Sequence, residues 1–266
     1  VRIPYIYIIP KWLFYPVSEP LFSINYQDPL VNHPSQDIAK GKAFPPQPHP
    51  LTLSSVYNIV HFVPGGTPVI QYGNNRIGPN PRIFEPVTIG FPSREFLDGK
   101  DFPGTVIGAN TILRSGTILY CNVHIGDDFS TGHNVLIREK MTIEDRVAIG
   151  SSTIVEGYGT IGNDVRIQSM AFIPTHTTIG SHVFIGPHAI LTNDLYPPTG
   201  KPELRGPTIE DHAVIGANAI LMPGITIGSG SAVAAGSIVT RDVPPGVLAL
   251  GSPARIRELP REMRFT

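Results

Sequence analysis

The chain of 266 residues has little sulfur and almost no net charge. Its one cysteine, Cys121, rules out an internal disulfide, and a reducing, cytoplasmic setting fits that usage. The 20 Lys and Arg are balanced by 21 Asp and Glu, so no basic excess points to nucleic acid or an anionic membrane as partner. No apolar run of membrane-spanning length stands out. The aromatic opening "VRIPYIYIIPKWLFYPVSEPLF" is broken by Pro4, Pro10, Lys11 and Pro16, and fits neither a transmembrane helix nor a signal peptide. Turn formers are abundant instead, with 27 Gly and 28 Pro, which argues against a helical bundle.

From residue 77 the sequence repeats every six residues. Ile, Leu or Val stands at 77, 83 and 89, at 107, 113, 119 and 125, at every sixth position from 137 to 191, and at every sixth from 209 to 239. Thr131 is the one miss between 107 and 191. A small or β-branched residue stands two places earlier, as at Val147, Val165, Ala171 and Ala189, and Gly often follows the aliphatic. Two inward side chains two apart make a short strand, and a bend then turns the chain. A period of six does not match a helix. Three such hexads close a triangular coil of 18 residues, and coils stack through strand-to-strand hydrogen bonds.

The repeat is interrupted at 91–106 and 192–208, both rich in Pro, Gly and charge, and it resumes in register each time. These read as excursions from a corner, where sites are commonly built on a rigid scaffold. The expected division is a small non-repetitive N-terminal cap over 1–76, a β-helix over 77–243 and a C-terminal tail over 244–266.

"HTTIGSHVFIGPHAILTND" sets His176, His182 and His188 six apart. Each is the third residue after its aliphatic, so the three fall on three corners of one coil, roughly 15 Å or more apart at ~3.3 Å per residue. Zinc ligands must lie about 2 Å from one centre, so these three cannot share a metal within one chain. Residues 18 apart stack at one corner. That places His133, Ser151 and Ser169 in one column, and Asn134, Ser152, Met170 and His188 beside it.

"IGANTI", "IGSHVFIGPHAIL" and "IGANAILMPGITIGSGSAVAAGSIV" resemble the hexapeptide-repeat acyltransferase superfamily over roughly residues 77 to 257. The resemblance implies an all-β, left-handed parallel β-helix, and a homotrimer with sites between chains. "IGPHAILTNDLYPP" and "VTRDVPPGVLALGSPARI" are similar to the N-acetyltransferases of nucleotide-linked amino sugars. In place of the Gln-Asn-Asn usual in that group, this chain has Gln168, Ser169 and Met170.

The resemblance implies an acetyl-CoA-dependent N-acetyltransferase that transfers the acetyl group directly to an amino sugar. A histidine is the base there, and His133 or His188 fits, since a neutral imidazole can accept a proton near pH 7. Asn134, Ser169, Asn193, Asp194 and Tyr196 are candidates for acceptor binding. Small Ala234, Ala235 and Gly236, with Ser252, Pro253 and Arg255, match the donor end, where a slender pantetheine arm needs a narrow groove. Acetyl-CoA is the expected co-substrate and no metal is expected. An O-acetyltransferase of a sugar, serine or small hydroxyl compound also fits the fold. So does a γ-class carbonic anhydrase-like zinc protein, although its ligands sit as H-x4-H and the nearest spacing here is H-x5-H. Cys121, in "LYCNVHI", has no evident activating neighbour.

Overall fold

A computed structural model describes residues 69–99, 101–198 and 203–263. The expected cap over 1–76 therefore lies almost wholly outside the described residues. Within them, short strands recur in a fixed rotation among three sheets of nine, eight and ten strands, parallel except for the last strand of the third, here called faces A, B and C. Together they form the triangular coils expected from the hexads, wound as the left-handed parallel β-helix that the family resemblance implied. Among the described residues no helix is long and apolar enough to cross a membrane.

The register is the 18-residue step. Leu136 and Ile137 pair with Ile154 and Val155 on face A, Met141 to Ile143 with Gly159 to Ile161 on face B, and Ala148 and Ile149 with Arg166 and Ile167 on face C. Each excursion lengthens one step to 30, pairing Ile89 with Leu119 and Ile179 with Ile209. The helix begins before the aliphatic pattern does. Ile70 and Gln71 pair with Thr88 and Ile89, and the slot equivalent to Ile89 holds Gln71, so that strand is invisible to a search for aliphatics. At the other end Val247–Gly251 adds a parallel strand to face C and Ala254–Glu258 folds back on it antiparallel.

The inward pair of each hexad fills the prism. Ile137, Ile185, Leu191 and Ile215 are fully buried, as are the small partners Val165 and Ala189. Each large aliphatic so buried contributes roughly 1.5–3 kcal/mol. Thr131 is also buried, and its hydroxyl is satisfied: Oγ1 accepts the Arg114 N–H at 3.0 Å and lies 3.0 Å from Thr117 Oγ1.

The corners explain the histidines. Among the described residues sixteen non-glycine residues have φ between 54° and 63°, one at nearly every corner, and eleven of them are Asn, Asp or His. These are the side chains best tolerated in the left-handed region. His176, His182 and His188 are three such corner residues, with φ of 63°, 59° and 57°.

Candidate functional site

The corner from face C to face A carries most of the expected site. Its backbone ladder is continuous. Asn134 N donates to Ser115 O, Ser152 N to His133 O, Met170 N to Ser151 O, His188 N to Ser169 O, Asn218 N to Pro187 O and Gly236 N to Ala217 O, all at 2.7–3.0 Å. One column therefore runs Ser115, His133, Ser151, Ser169, Pro187, Ala217, Ala235. Its neighbour runs Asn134, Ser152, Met170, His188, Asn218, Gly236. His133, His188, Asn134 and Ser169 share this edge with Ala234, Ala235 and Gly236. The turn at Ser252 and Pro253 joins them, because Gly251 N donates to Ser237 Oγ at 3.0 Å. Arg255 sits in the returning strand opposite Leu250 and is exposed. At about 4.8 Å per coil, Ala235 lies roughly 24 Å along the edge from His133, and Gly236 roughly 10 Å from His188.

A groove of about 320 Å³ opens at the His133 end of this edge. Its floor is made by Ser130, Gly132, Ala148 and Gly150, with Arg114 at one end and Arg166 and Gln168 at the other. His133, Ser151 and Ser169 line its corner side, whereas Asn134 and His188 stand outside it. The tight stacking here requires glycine: a Cβ at Gly150 would run into the backbone nitrogen of Ser169. His133 is held from both sides. Ser115 Oγ lies 2.8 Å from its Nδ1, and its backbone N–H donates to Ser151 Oγ at 3.0 Å. Ser115, Arg114 and Arg166 did not emerge from the sequence as site residues. Ser115 is nonetheless 18 places before His133, and Arg166 falls on the outward grid position after Ser130 and Ala148.

The second excursion leaves elsewhere. It departs after Leu191 on face A and re-enters at Thr208 on face B, so Asn193, Asp194 and Tyr196 occupy the corner from A to B. Within one chain they are not brought to His133. Asn193 is anchored, its amide donating to Thr175 Oγ1 at 2.8 Å, and Asp194 Oδ1 accepts the Tyr196 N–H. Tyr196 is exposed. The first excursion leaves the same corner, and its Glu95 pairs with Lys140 at 2.9 Å.

That corner also holds an ion-pair network. Glu139, almost fully buried, receives two hydrogen bonds from Arg138, which also faces Glu156 at 3.7 Å and lies over the Tyr120 ring. Partial burial disfavours the Arg138 charge, but the Glu139 hydrogen bond and the two carboxylates outweigh it, so its pKa is raised. Cys121 is fully buried, with the Ser93 N–H directed at its sulfur. The three histidines stand on three columns: His176 beside Tyr158, His182 stacked on His212, and His188 above Met170. Among the described residues no three His, Cys, Asp or Glu side chains come together as a metal site would need.

The chain is similar to known hexapeptide-repeat acyltransferases. A family model described as the hexapeptide repeat of succinyl-transferase matches residues 208–241. A 2,3,4,5-tetrahydropyridine-2,6-dicarboxylate N-acetyltransferase of Staphylococcus aureus is 40% identical over 82 residues, which are 31% of this chain and 33% of that protein. The chain thus spans about a third of the length of the curated relatives it matches. A hexapeptide-repeat acetyltransferase of Vibrio cholerae O1 biovar eltor, solved with acetyl coenzyme A, is 36% identical, covers 39% of this chain and 61% of its own, and has a TM-score of 0.34. A UDP-N-acetylglucosamine acyltransferase of Campylobacter jejuni is 20% identical over 68% of this chain and 74% of its own, with a TM-score of 0.43.

Proposed function

We propose that the chain is an acetyl-CoA-dependent N-acetyltransferase acting on a small amine-bearing acceptor, a nucleotide-linked amino sugar. One observation supports it above the others. His133 is oriented by Ser115 at 2.8 Å, in a groove on the same edge as Ala234, Ala235 and Gly236. With Nδ1–H donating to Ser115, Nε2 carries the lone pair a base needs. The acceptor nitrogen attacks the thioester carbonyl carbon and the new C–N bond forms. Nε2 of His133 takes the amine proton, a backbone N–H stabilises the oxyanion, and the C–S bond breaks as coenzyme A leaves as its thiolate, which takes up the proton held by His133. The donor lies along the edge from Ala234, Ala235, Gly236, Ser252, Pro253 and Arg255 toward the groove. The amine acceptor is favoured by the Staphylococcus aureus relative, itself named an N-acetyltransferase. His188, Asn134 and Ser169 border the donor path.

Asn193, Asp194 and Tyr196 stand at another corner, so in this reading they serve a neighbouring copy in a homotrimer, and the enzyme works in the cytoplasm. Titration calorimetry with acetyl-CoA, followed by thiol release on nucleotide amino sugars, tests the reading. One acetyl-CoA per chain is expected. His133→Ala should keep that binding and lose at least tenfold in turnover, within the usual range for a removed base. No acetyl-CoA binding would overturn the reading, and undiminished turnover would remove His133 from the mechanism.

A further inference from the structure

The groove beside His133 owes its shape to a lapse in side-chain size. On face C the outward residue in successive coils is Ile112, Ser130, Ala148, Arg166 and then Phe184. Ser130 and Ala148 are the two small ones, and they stand side by side. The floor therefore drops for two coils between the bulk of Ile112 and that of Arg166. A depression of about 320 Å³ reaches the low end of the size range of small-molecule sites.

The charge in this depression has one sign. Its lining includes two arginines, Arg114 and Arg166, but no Asp or Glu. In the neighbouring coils Asp164 is engaged by Arg146 and Glu139 by Arg138. Arg114 is tied down, donating from Nη1 to Thr131 O at 2.6 Å. Among the described residues, the Arg166 guanidinium and the Gln168 side-chain amide make no hydrogen bond or ion pair. A guanidinium offers a planar fork that matches a phosphate or carboxylate with two parallel hydrogen bonds. Cations around a concave, partly desolvated surface also focus the field and raise the local concentration of anions.

We propose that this groove is an anion-binding subsite, in which Arg166 pairs with a phosphate or carboxylate group of the acceptor and Gln168 adds a further donor. Arg114 contributes fixed positive charge at the opposite end. The assignment of the anion to the acceptor rests on the acyl-transfer reading. The existence of the subsite does not. The acceptor class is then an amine that also bears an anionic group, held so that its nitrogen falls to His133, which shares the lining with both arginines.

Inorganic pyrophosphate is the probe, titrated calorimetrically into the full chain. Saturable binding at one site per chain is expected. Arg166→Gln should weaken it at least tenfold. Arg82→Gln, which removes an exposed arginine on the same face outside the groove, should leave it unchanged. Both variants change exposed side chains, and matching thermal melts would show that the fold is retained. Equal loss in the two variants, or no loss in Arg166→Gln, would overturn the subsite.

Acetyl-CoA is titrated in parallel. If Arg166→Gln binds it normally while losing pyrophosphate, the anion belongs to the acceptor. If coenzyme A displaces pyrophosphate from the unaltered chain, the groove holds donor phosphates and the acceptor assignment falls. Arg166-dependent pyrophosphate binding with no acetyl-CoA binding would sink the acyl-transfer reading and leave the subsite standing.

Discussion

Met170 shows what the corners demand of single residues. It is about half exposed, at 53%, and sits at φ 61° on the corner beside the groove. A long unbranched side chain is held there in the left-handed region without the compensation of burial, at a cost of about 1 kcal/mol. Asn hydrogen-bonds locally and adopts this conformation readily. Met170→Asn should therefore stabilise the chain by up to about 1 kcal/mol, raising the melting midpoint by a few degrees in scanning calorimetry. A fall in the midpoint would mean that the Met170 side chain is buried in an assembly. Thr131 makes the complementary point. It interrupts the aliphatic pattern, yet it is buried and its hydroxyl links Arg114 and Thr117 on the preceding coil.

At the scale of the element, the corner from face B to face C is a polar ladder one side chain deep. Asp127 accepts the Ala109 N–H, Asp145 that of Asp127, Asn163 that of Asp145, Ser181 that of Asn163 and Asp211 that of Ser181. Each coil thus caps backbone donors of the one before, as polar groups at a bend require. The outer rung is ionic: Arg146 makes two hydrogen bonds to Asp164, at 2.7 and 2.9 Å. Those bonds, then the Arg146 charge, hold the Asp164 carboxyl below its ordinary pKa. A carboxyl lowered in the folded state contributes stability that is present above about pH 4, its unfolded value, and is lost as pH falls through the folded value. Arg146→Gln should lower the melting midpoint at neutral pH, and the gap to the unaltered chain should close on acidification below about pH 4. A gap independent of pH would assign the effect to packing of the Arg146 stem.

For the whole molecule, the two excursions are insertions of one size at one corner. Each stretches the coil step to 30 residues and returns to the same register. Removing residues 194–205 restores an 18-residue step and places Gly206 directly after Asn193. Gly206 already stacks on His176 and can adopt the corner conformation. The shortened chain should fold, with a melting midpoint within about 4 °C of the original, equivalent to about 1 kcal/mol. It should bind acetyl-CoA as before and lose acceptor turnover, because Asp194 and Tyr196 are gone. Retained turnover would exclude that loop from the acceptor site.

The six-residue grid was legible in the bare sequence because it is local chemistry: an aliphatic that must face inward, a small partner two places back, and a bend that tolerates Gly. From it follow the triangular coils, the 18-residue stacking, the separation of the three histidines and the column shared by His133 and Ser169, while the left hand came with the family resemblance. Three features were not legible, because each depends on a neighbour in another coil. Ser130 and Ala148 are unremarked small residues until stacking sets them side by side beneath Arg166. Ser115 becomes a partner of His133 only through the distance between their side chains. The loop bearing Asn193, Asp194 and Tyr196 looked close to His188 in the chain, yet one strand of face A carries it to the next corner. Repetition along the chain dictates which residues stack, while the rotation of the coil dictates which corner a loop leaves from and which side chains can meet.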